Sequence, residues 1–467
     1  MHHSSIMAAC IARGARASRT GRRQSSRLAF VALGSNVGDR AAQLCAAWRR
    51  VQRTLGPIVA SSPLYDTAPQ LVTEQPRFLN AVVAVKTSLP PLDALAKLKE
   101  AERAMGRQDR GRYGPREVDL DLLFLGDEAF EAPSLTVPHP RIGERDFVLR
   151  PLRACRRALS GDCELVDTFL KERWGGDFLG EDVDGEERRV WSALGTLAVA
   201  GAKTGVMGVL NCTPDSFSDG GLHFDIEAAL RSAETMVAHG ADYLDVGGES
   251  TRPGAVPPSL AEELDRVVPL VEKLRQFAVP VSVDTRRADV ALAARTAGAA
   301  ATNDVSGGAY DGSMLSTLAA DEWQRGVVLM HMQGEPNTMN SLASYEDVVA
   351  EVSSELQERV RAALDTGIAP WRLVVDPGLG FAKNTEHNVA LLRDLPRFKR
   401  ALGGLPVLIG ASRKRFLGEL AGEPEASQRD AATAGACVAA LPAADVVRVH
   451  DVRTCVQALR VADAVLR

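Results

Sequence analysis

The sequence predicts an α/β protein in two parts, a compact α/β or α+β domain followed by a (β/α)8 barrel. Strand and helix patterns alternate from Arg27 to about Arg157. From about residue 205 onward, eight short apolar runs with helical stretches between them nearly all end in a polar or charged residue. They close on Asn211, Asp245, Asp284, Asn303, the Met330–Met332 segment around His331, Asp376, Ser412 and Arg448. A barrel assembles its active site from the C-terminal ends of its strands, so these termini are expected to converge on one mouth.

Leu28–Leu33 reads as a strand running into Gly34-Ser35-Asn36, and Ala41–Leu55 has helical periodicity up to Gly56-Pro57. Ala81–Val85 follows as a strand. Pro91–Met105 reads as a helix opened by a proline, whose missing N–H costs nothing in a first turn, and Glu117–Leu125 as a strand. From about Ala158 to Ala202 the pattern weakens. Gly175-Gly176 and the acidic run 181–187 mark a connector, with Trp191 and the Leu194–Val199 stretch apolar enough for a short strand. The expected division is a leader over 1–27, a first domain over 28–157, a linker over 158–202 and a barrel over 203–467. No repeated sequence with a period of about 20 to 50 residues appears, so the barrel repeats in architecture only.

The composition, 45% hydrophobic and 25% charged over 467 residues, is that of a globular protein able to bury sizeable cores. The most apolar late segment, Gly435–Val447, is interrupted by Pro442 and Asp445, so no membrane span is expected. The 7 cysteines are scattered without a Cys-x-x-Cys pair, which fits a reducing compartment. Residues 1–27 hold Arg13, Arg16, Arg19, Arg22, Arg23 and Arg27, several serines and alanines, and no acid. That pattern fits a mitochondrial transit peptide, with a disordered leader or a misplaced start, and a cytoplasmic protein, as the alternative. Without those six charges the net charge moves from −5 to about −11, which argues against nucleic acid as a partner.

In Val118-Asp119-Leu120-Asp121-Leu122, two carboxylates one residue apart on a strand share a face and can hold hard cations. Magnesium takes one or two protein carboxylates together with phosphate oxygens. Arg107, Arg110, Arg112 and Arg116 precede this pair and His139 and Arg145 follow it, the cationic surroundings that transfer of a phosphoryl-type group requires. A solvated basic loop beside an exposed acidic strand is the plainer alternative.

Gly34-Ser35-Asn36, Thr67-Ala68-Pro69, Gln75-Pro76-Arg77-Phe78-Leu79-Asn80, Gly106-Arg107, Arg112-Tyr113-Gly114-Pro115-Arg116, Asp119-Leu120-Asp121 and Val137-Pro138-His139 resemble 6-hydroxymethyl-7,8-dihydropterin pyrophosphokinase over residues 28–157. The resemblance implies a ferredoxin-like α/β fold. It implies that Asp119 and Asp121 bind two magnesium ions, that Phe78 and Asn80 help hold a pterin, and that Arg107, Arg116, His139 and Arg145 contact ATP phosphates or the transferred group. The basic loop is one residue shorter than the bacterial pattern, and Tyr113 stands where tryptophan is common.

In the barrel, Gly208–Gly221 breaks from an apolar strand ending at Asn211 into a long polar loop suited to a phosphate or metal contact. After Asp245, a Gly-rich loop brings Arg252, whose planar fork pairs with phosphate. Asp284, Asn303 and Asp376 offer acceptors to the amino group and ring N–H of a pterin. Each could instead cap a helix. Ser412-Arg413-Lys414 and Arg448-Val449-His450 bring positive charge to the last two strands, the usual phosphate site of this fold.

These segments resemble dihydropteroate synthase over nearly all of residues 203–467. Asn211-Cys-Thr-Pro-Asp-Ser-Phe-Ser-Asp-Gly-Gly, Gly248-Glu-Ser-Thr-Arg-Pro-Gly, Ser282-Val-Asp-Thr, Asp376-Pro-Gly-Leu-Gly-Phe, Ser412-Arg-Lys and Arg448-Val-His-Asp occur in family order. The resemblance implies that Asp284, Asn303, Asp376 and Lys414 bind the pterin. It places Asn211, Arg252, Arg448 and His450 on pyrophosphate and its magnesium, and Thr251, Pro253, Phe381 and Ser412 around p-aminobenzoate. The halves together resemble the bifunctional folate-pathway enzymes of plants and related eukaryotes. ATP, 6-hydroxymethyl-7,8-dihydropterin and p-aminobenzoate are then the expected small-molecule partners, and a second copy the partner of the barrel. Two rivals are a pterin-binding methyltransferase relative, opposed by Ser412-Arg413-Lys414 and the Asn211 loop, and a synthase tethered to a non-catalytic N-terminal interaction module, opposed by Asp119, Asp121 and His139.

Overall fold

Along the first unit run β1 (Arg27–Ser35), α1 (Arg40–Leu55), β2 (Ile58–Ser61), β3 (Leu64–Thr67), β4 (Phe78–Thr87), α2 (Pro91–Ala104), β5 (Asp119–Leu125), β6 (Phe130–Ala132), β7 (Leu135–Val137), α3 (Asp146–Arg157), α4 (Glu164–Trp174) and β8 (Arg188–Trp191). The structure, a computed structural model, describes residues 26–70, 72–108, 114–127, 129–159, 161, 163–175, 188–212, 225–250, 256–320, 325–335 and 338–467. It divides into two compact units, one ending at Val190 and the other beginning at Trp191. The transit-peptide reading falls on residues of which all but the last two lie outside those described.

β1 lies between β5 and β4, while β4 carries β2 and β3 on its other edge and β8 follows β3, all antiparallel. This layered sheet agrees with the predicted ferredoxin-like α/β class. Asp39 caps α1 by accepting from the Ala42 N–H at 3.0 Å, and the helix buries Leu44, Trp48, Val51 and Leu55 at helical spacing. On one sheet face Phe30, Val82, Ala84 and Phe124 pack with Val148, Leu149 and Leu152 of α3 and Val166 and Leu170 of α4. The weak pattern over 158–202 therefore conceals a helix. α4 spans three turns and offers the core few apolar residues, too short a signal for periodicity. It is also held by Arg156, whose Nε and Nη2 donate to Asp167 at 2.5 and 2.8 Å.

The second unit contains β9 (Ala198–Val199), β10 (Gly205–Asn211), α5 (Ile226–Ala238), β11 (Tyr243–Gly247), α6 (Leu260–Leu274), β12 (Val281–Asp284), α7 (Ala288–Ala297), β13 (Ala301–Asp304), α8 (Met314–Ala320), β14 (Gly326–Met330), α9 (Val348–Asp365), β15 (Leu373–Asp376), α10 (Thr385–Arg393), α11 (Leu395–Ala401), β16 (Leu408–Ile409), α12 (Arg415–Ala421), α13 (Asp430–Ala440), β17 (Val446–Val449) and α14 (Val452–Leu466). The strands from β10 on are parallel and ordered β15-β14-β13-β12-β11-β10-β17-β16. Val375 bridges Val407, and its N–H donates to Pro406 O at 2.9 Å, which brings the ends of the sheet together.

Alternate residues of barrel strands point inward. Met207, Tyr243, Ala301, Val328, Val374, Leu408 and Val446 form the interior cluster. Two residues further along six of those strands stand Asp245, Asn303, Met330, Asp376, Gly410 and Arg448. The alternation that fills the core therefore delivers the polar side chains Asp245, Asn303, Asp376 and Arg448 to the layer above it. Below the interior cluster, Trp191, Ala193 and Leu194 join it, so this segment packs with the barrel ahead of the expected start at Lys203. Gly326, the first residue of β14, lies against the Ala193 carbonyl, where a Cβ would collide with backbone.

Gly326→Ala should destabilise the barrel by about 1–3 kcal/mol through overpacking at that contact. Thermal unfolding followed by circular dichroism tests this, and a wild-type midpoint would remove the close approach as a constraint.

Candidate active sites

In the first unit, the alternation of β5 sends Asp119 and Asp121 to one face, opposite Gly34 and Ala32 of β1, and Gly34 in turn faces Asn80 of β4. A Cβ on Gly34 would stand 2.9 Å from Asn80 Oδ1 and 3.9 Å from Asp119 Cβ, so the bare glycine keeps the gap between amide and carboxylate open. Further along the same face Phe30 opposes Phe124 beneath α3 and α4, so one sheet face passes from open acid to sealed core.

Asp119 forms an ion pair with Arg107 Nη1 at 2.8 Å and accepts from Arg116 Nη1 at 2.7 Å, and Asp121 pairs with Arg145 at 3.5 Å. Buried Glu102 also grips Arg107, and it accepts from the Leu120 N–H at 2.8 Å. Burial works against the Arg107 charge, but Asp119 and Glu102 outweigh it and raise its pKa. Burial pushes the His139 imidazole below its ordinary value, with Asp121 opposing. The Arg141 N–H donates to His139 Nδ1 at 3.2 Å, which leaves the ring proton on Nε2. The cleft is also lined by Thr67, Gln75, Phe78, Arg141 and Phe147. Asn80 Nδ2 donates to Thr67 Oγ1 at 2.7 Å. Asn36 fastens two walls: its Nδ2 donates to Gln75 Oε1 and Pro76 O, both at 3.1 Å, and its Oδ1 accepts from the Arg116 N–H at 2.8 Å. Arg110 and Arg112 lie outside the described residues.

At the barrel mouth, Arg448 donates from Nε to Asp245 Oδ2 at 2.6 Å and from Nη2 to Asp284 Oδ2 at 2.8 Å. Asn303 Nδ2 donates to the same Asp245 oxygen at 3.0 Å. Burial drives the Asp284 carboxyl up to about 7 although Arg448 pulls it down, and lifts Asp376 to about 6 against the bond from the Gly378 N–H. Burial, then Arg448, lowers the Lys414 ammonium to about 8, and its Nζ lies 3.8 Å over the Phe381 ring. Ser412 Oγ accepts from the His450 N–H at 3.1 Å and stands 2.9 Å from His450 Nδ1. Burial, then Arg448, takes His450 down to about 4, leaving a neutral ring. Asn211 ends β10 beside Gly247. Thr251, Arg252, Pro253 and the polar loop 213–224 lie outside the described residues.

Helix capping, the plain alternative for Asp284, Asn303 and Asp376, is not their role. Among the described residues, side chains that cap helices of this unit include Asp225, Ser259, Asp347, Asn384, Glu425 and Asp451. Asp245, which ends an apolar run in the sequence but had no role there, proves to be the shared partner of Arg448 and Asn303. Its signal was its place two residues after an interior position. Arg141 and Gln75 of the first cleft carry no comparable periodic signal, because they stand on loops. Among the described residues, no group of three or more His, Cys, Asp or Glu side chains is arranged to hold a metal ion alone, and no helix is long and apolar enough to cross a membrane.

Residues 30–157 match the 7,8-dihydro-6-hydroxymethylpterin-pyrophosphokinase family and residues 207–450 the pterin binding enzyme family. The mitochondrial folate synthesis bifunctional protein of Pisum sativum is 42% identical over 465 residues, covering 94% of this chain and 89% of the pea protein. A folate synthesis bifunctional protein of Arabidopsis thaliana is 41% identical, covering 93% of this chain and 95% of its own length. Among solved structures, the dihydropteroate synthase of Xanthomonas albilineans with 4-aminobenzoic acid is 45% identical, with a TM-score of 0.55 and 60% of this chain and 98% of that one covered. A triple mutant of the Plasmodium falciparum two-domain protein has a TM-score of 0.75 over 95% of this chain and 96% of its own, and at 22% identity shows a shared fold.

Arg448→Met strands two buried carboxylates and should cost about 3–5 kcal/mol at pH 8. A carboxyl whose folded pKa lies above its unfolded value binds more protons when folded. Stability therefore falls as pH rises from about 4 through the raised value, near 7 for Asp284 in the wild type and higher without Arg448. The deficit of Arg448→Met against wild type should accordingly be smaller at pH 5 than at pH 8 in urea denaturation, and an equal deficit at both would contradict the charge argument.

Proposed function

The chain belongs to the bifunctional folate synthesis proteins, which join a pyrophosphokinase unit to a pterin-binding synthase barrel, and from that membership we propose how its residues carry the two steps. The first unit transfers pyrophosphate from ATP to 6-hydroxymethyl-7,8-dihydropterin, and the barrel condenses the product with p-aminobenzoate to 7,8-dihydropteroate, releasing pyrophosphate. The observation that carries the residue assignment is the ring of polar side chains two steps above the barrel's interior core, matched in the first unit by two carboxylates on one open strand face.

In the first unit the pterin hydroxyl oxygen attacks the β-phosphorus of ATP, the bond from that phosphorus to the oxygen of the α-phosphate breaks, and AMP leaves. Phe78 and Asn80 hold the pterin. Asp119 and Asp121 are the proposed magnesium ligands, and a pair of adjacent carboxylates open to substrate phosphate fits that ion. Magnesium, when bound, neutralises charge on the transferred group. Arg107, Arg116 and Arg145 exchange their carboxylate contacts for phosphate oxygens, and His139 Nε2–H donates to the group in transfer.

In the barrel the arylamine nitrogen attacks the pterin methylene carbon as its C–O bond to pyrophosphate breaks, and the nitrogen loses a proton. No covalent enzyme intermediate is needed. Asp284, Asn303, Asp376 and Lys414 bind the pterin edge. Arg448 donates two N–H groups to Asp245 and Asp284 and, with His450 and Arg252, directs its others to the departing pyrophosphate, whose magnesium Asn211 would hold through its amide oxygen. Phe381, Ser412, Thr251 and Pro253 border p-aminobenzoate. The proposed location is the mitochondrion, supported by the Arg-rich leader and the mitochondrial pea relative. A second copy is the proposed barrel partner, supported by exposed Val461, Val465 and Leu466 on α14.

The purified chain should convert hydroxymethyldihydropterin, ATP and p-aminobenzoate to dihydropteroate. Asp119→Ala and Asp121→Ala should each cut pyrophosphorylation by at least about a hundredfold while sparing synthesis from supplied pterin pyrophosphate, and Lys414→Ala should do the reverse. Parallel loss of both activities in any of these variants would contradict the assignment to separate sites. A fluorescent reporter carrying residues 1–27 should enter mitochondria, and Glu at positions 13, 16 and 19 should keep it in the cytosol. A wild-type fusion spread through the cytosol would refute the targeting proposal.

A further inference from the structure

Behind the barrel mouth lies a chain of polar groups, buried at Lys383 and His331 and half-buried at Glu355, that the reaction above does not use. Lys383 Nζ donates to Phe381 O at 2.9 Å and stands 2.9 Å from His331 Nδ1, while His331 Nε2 is 3.1 Å from Glu355 Oε2. Gln333 Nε2 donates to the other Glu355 oxygen at 2.7 Å. Lys383 and His331 are buried. Burial, chiefly, lowers His331 to about 4, and the bond from His331, chiefly, holds Glu355 near 2. The neutral imidazole therefore accepts from Lys383 at Nδ1 and donates to the Glu355 carboxylate from Nε2.

These bonds meet the substrate-facing loop at its one unusual turn. Ala382 has a φ of 49°, a left-handed conformation that a residue with a Cβ adopts only when its surroundings impose it. Lys383 Nζ holds the carbonyl before Ala382, and the Tyr345 hydroxyl donates to the Ala382 carbonyl at 3.0 Å. The Gly380 N–H donates to Asn388 Oδ1 at 2.7 Å. The Phe381 ring, beneath Lys414 Nζ, is the product of this turn. At the strand end, the His331 N–H donates to Asp376 O at 2.9 Å, and Arg359 holds Met330 O at 2.8 Å and Met332 O at 3.0 Å.

We propose that Lys383 is a positioning residue for the aromatic-amine subsite: anchored on His331 and Glu355, it holds the Phe381 carbonyl and so sets the Phe381 ring against Lys414. This rests on the reading that the barrel is the synthase with Phe381 beside p-aminobenzoate. Lys383 is buried with its Nζ turned to Phe381 O and His331, so its loss acts on where the amine is held rather than on the bond-breaking step.

Lys383→Met keeps the length of the side chain and removes its donors. In the full chain, supplied with pterin pyrophosphate, it should raise KM for p-aminobenzoate about tenfold or more while kcat changes by less than about threefold, and Lys383→Arg should recover part of that loss. Tyr345→Phe, which releases the same turn from outside the barrel wall, should raise that KM by a smaller factor, and it keeps the test open if Lys383→Met fails to fold. Pyrophosphokinase activity of the same chains should stay at wild type. An unchanged KM in a folded Lys383→Met, or in Tyr345→Phe where Lys383→Met does not fold, overturns the inference. Equal falls in kcat for all variants with KM fixed also overturn it, because that is loss of folded protein rather than misplaced substrate. Absence of synthase turnover in the wild-type chain would instead overturn the functional reading on which the inference stands.

Discussion

Arg448 reaches across the barrel mouth to two carboxylates from other strands, Asp245 at 2.6 Å and Asp284 at 2.8 Å. Two successive strands and the last strand of the barrel are tied by one guanidinium, and the tie exists because a buried carboxylate without a cation is too costly to keep charged. Asn303 adds an amide to the same Asp245 oxygen. The polar side chains above the barrel core are thus held in place before any ligand arrives, the preorganisation that the proposed pterin and pyrophosphate contacts require.

The first unit uses the same device more openly. Asp119 is paired with Arg107 and Arg116, and Arg107 is in turn held by the buried Glu102. On the proposed assignments, an anionic ligand in either unit would exchange one set of charge-assisted bonds for another, with little solvent reorganisation on binding. The pairing partners differ for a physical reason. The barrel site is enclosed, and burial moves Asp284, Asp376 and Lys414 toward neutrality. Asp119 and Asp121 stand on an open strand face with side chains about a quarter exposed, where a hydrated cation can approach.

Two-residue periodicity explains why much of the barrel site was legible before the fold was known. Tyr243, Ala301, Val374 and Val446 face the interior because parallel barrel strands bury alternate residues, and their second neighbours Asp245, Asn303, Asp376 and Arg448 follow inward at the mouth. The same rule marks Asp119 and Asp121. It says nothing about loops. Arg141, Gln75, Lys383 and Glu355 leave no periodic trace, although His331 beside them closes an apolar run, because they meet through turns and through a helix from elsewhere in the chain.

The residues alone determined the two-part architecture, the order of the eight barrel strands along the chain and the side chains at their ends, since these depend on local alternation of apolar and polar groups. The tertiary structure decided whether Asp284, Asn303 and Asp376 cap helices or face the mouth, because capping is a matter of where a helix begins relative to a strand end. It also decided that Glu164–Trp174 joins the first core and that Trp191–Leu194 packs beneath the barrel, where short apolar segments gain their stability only from surfaces supplied by distant sequence.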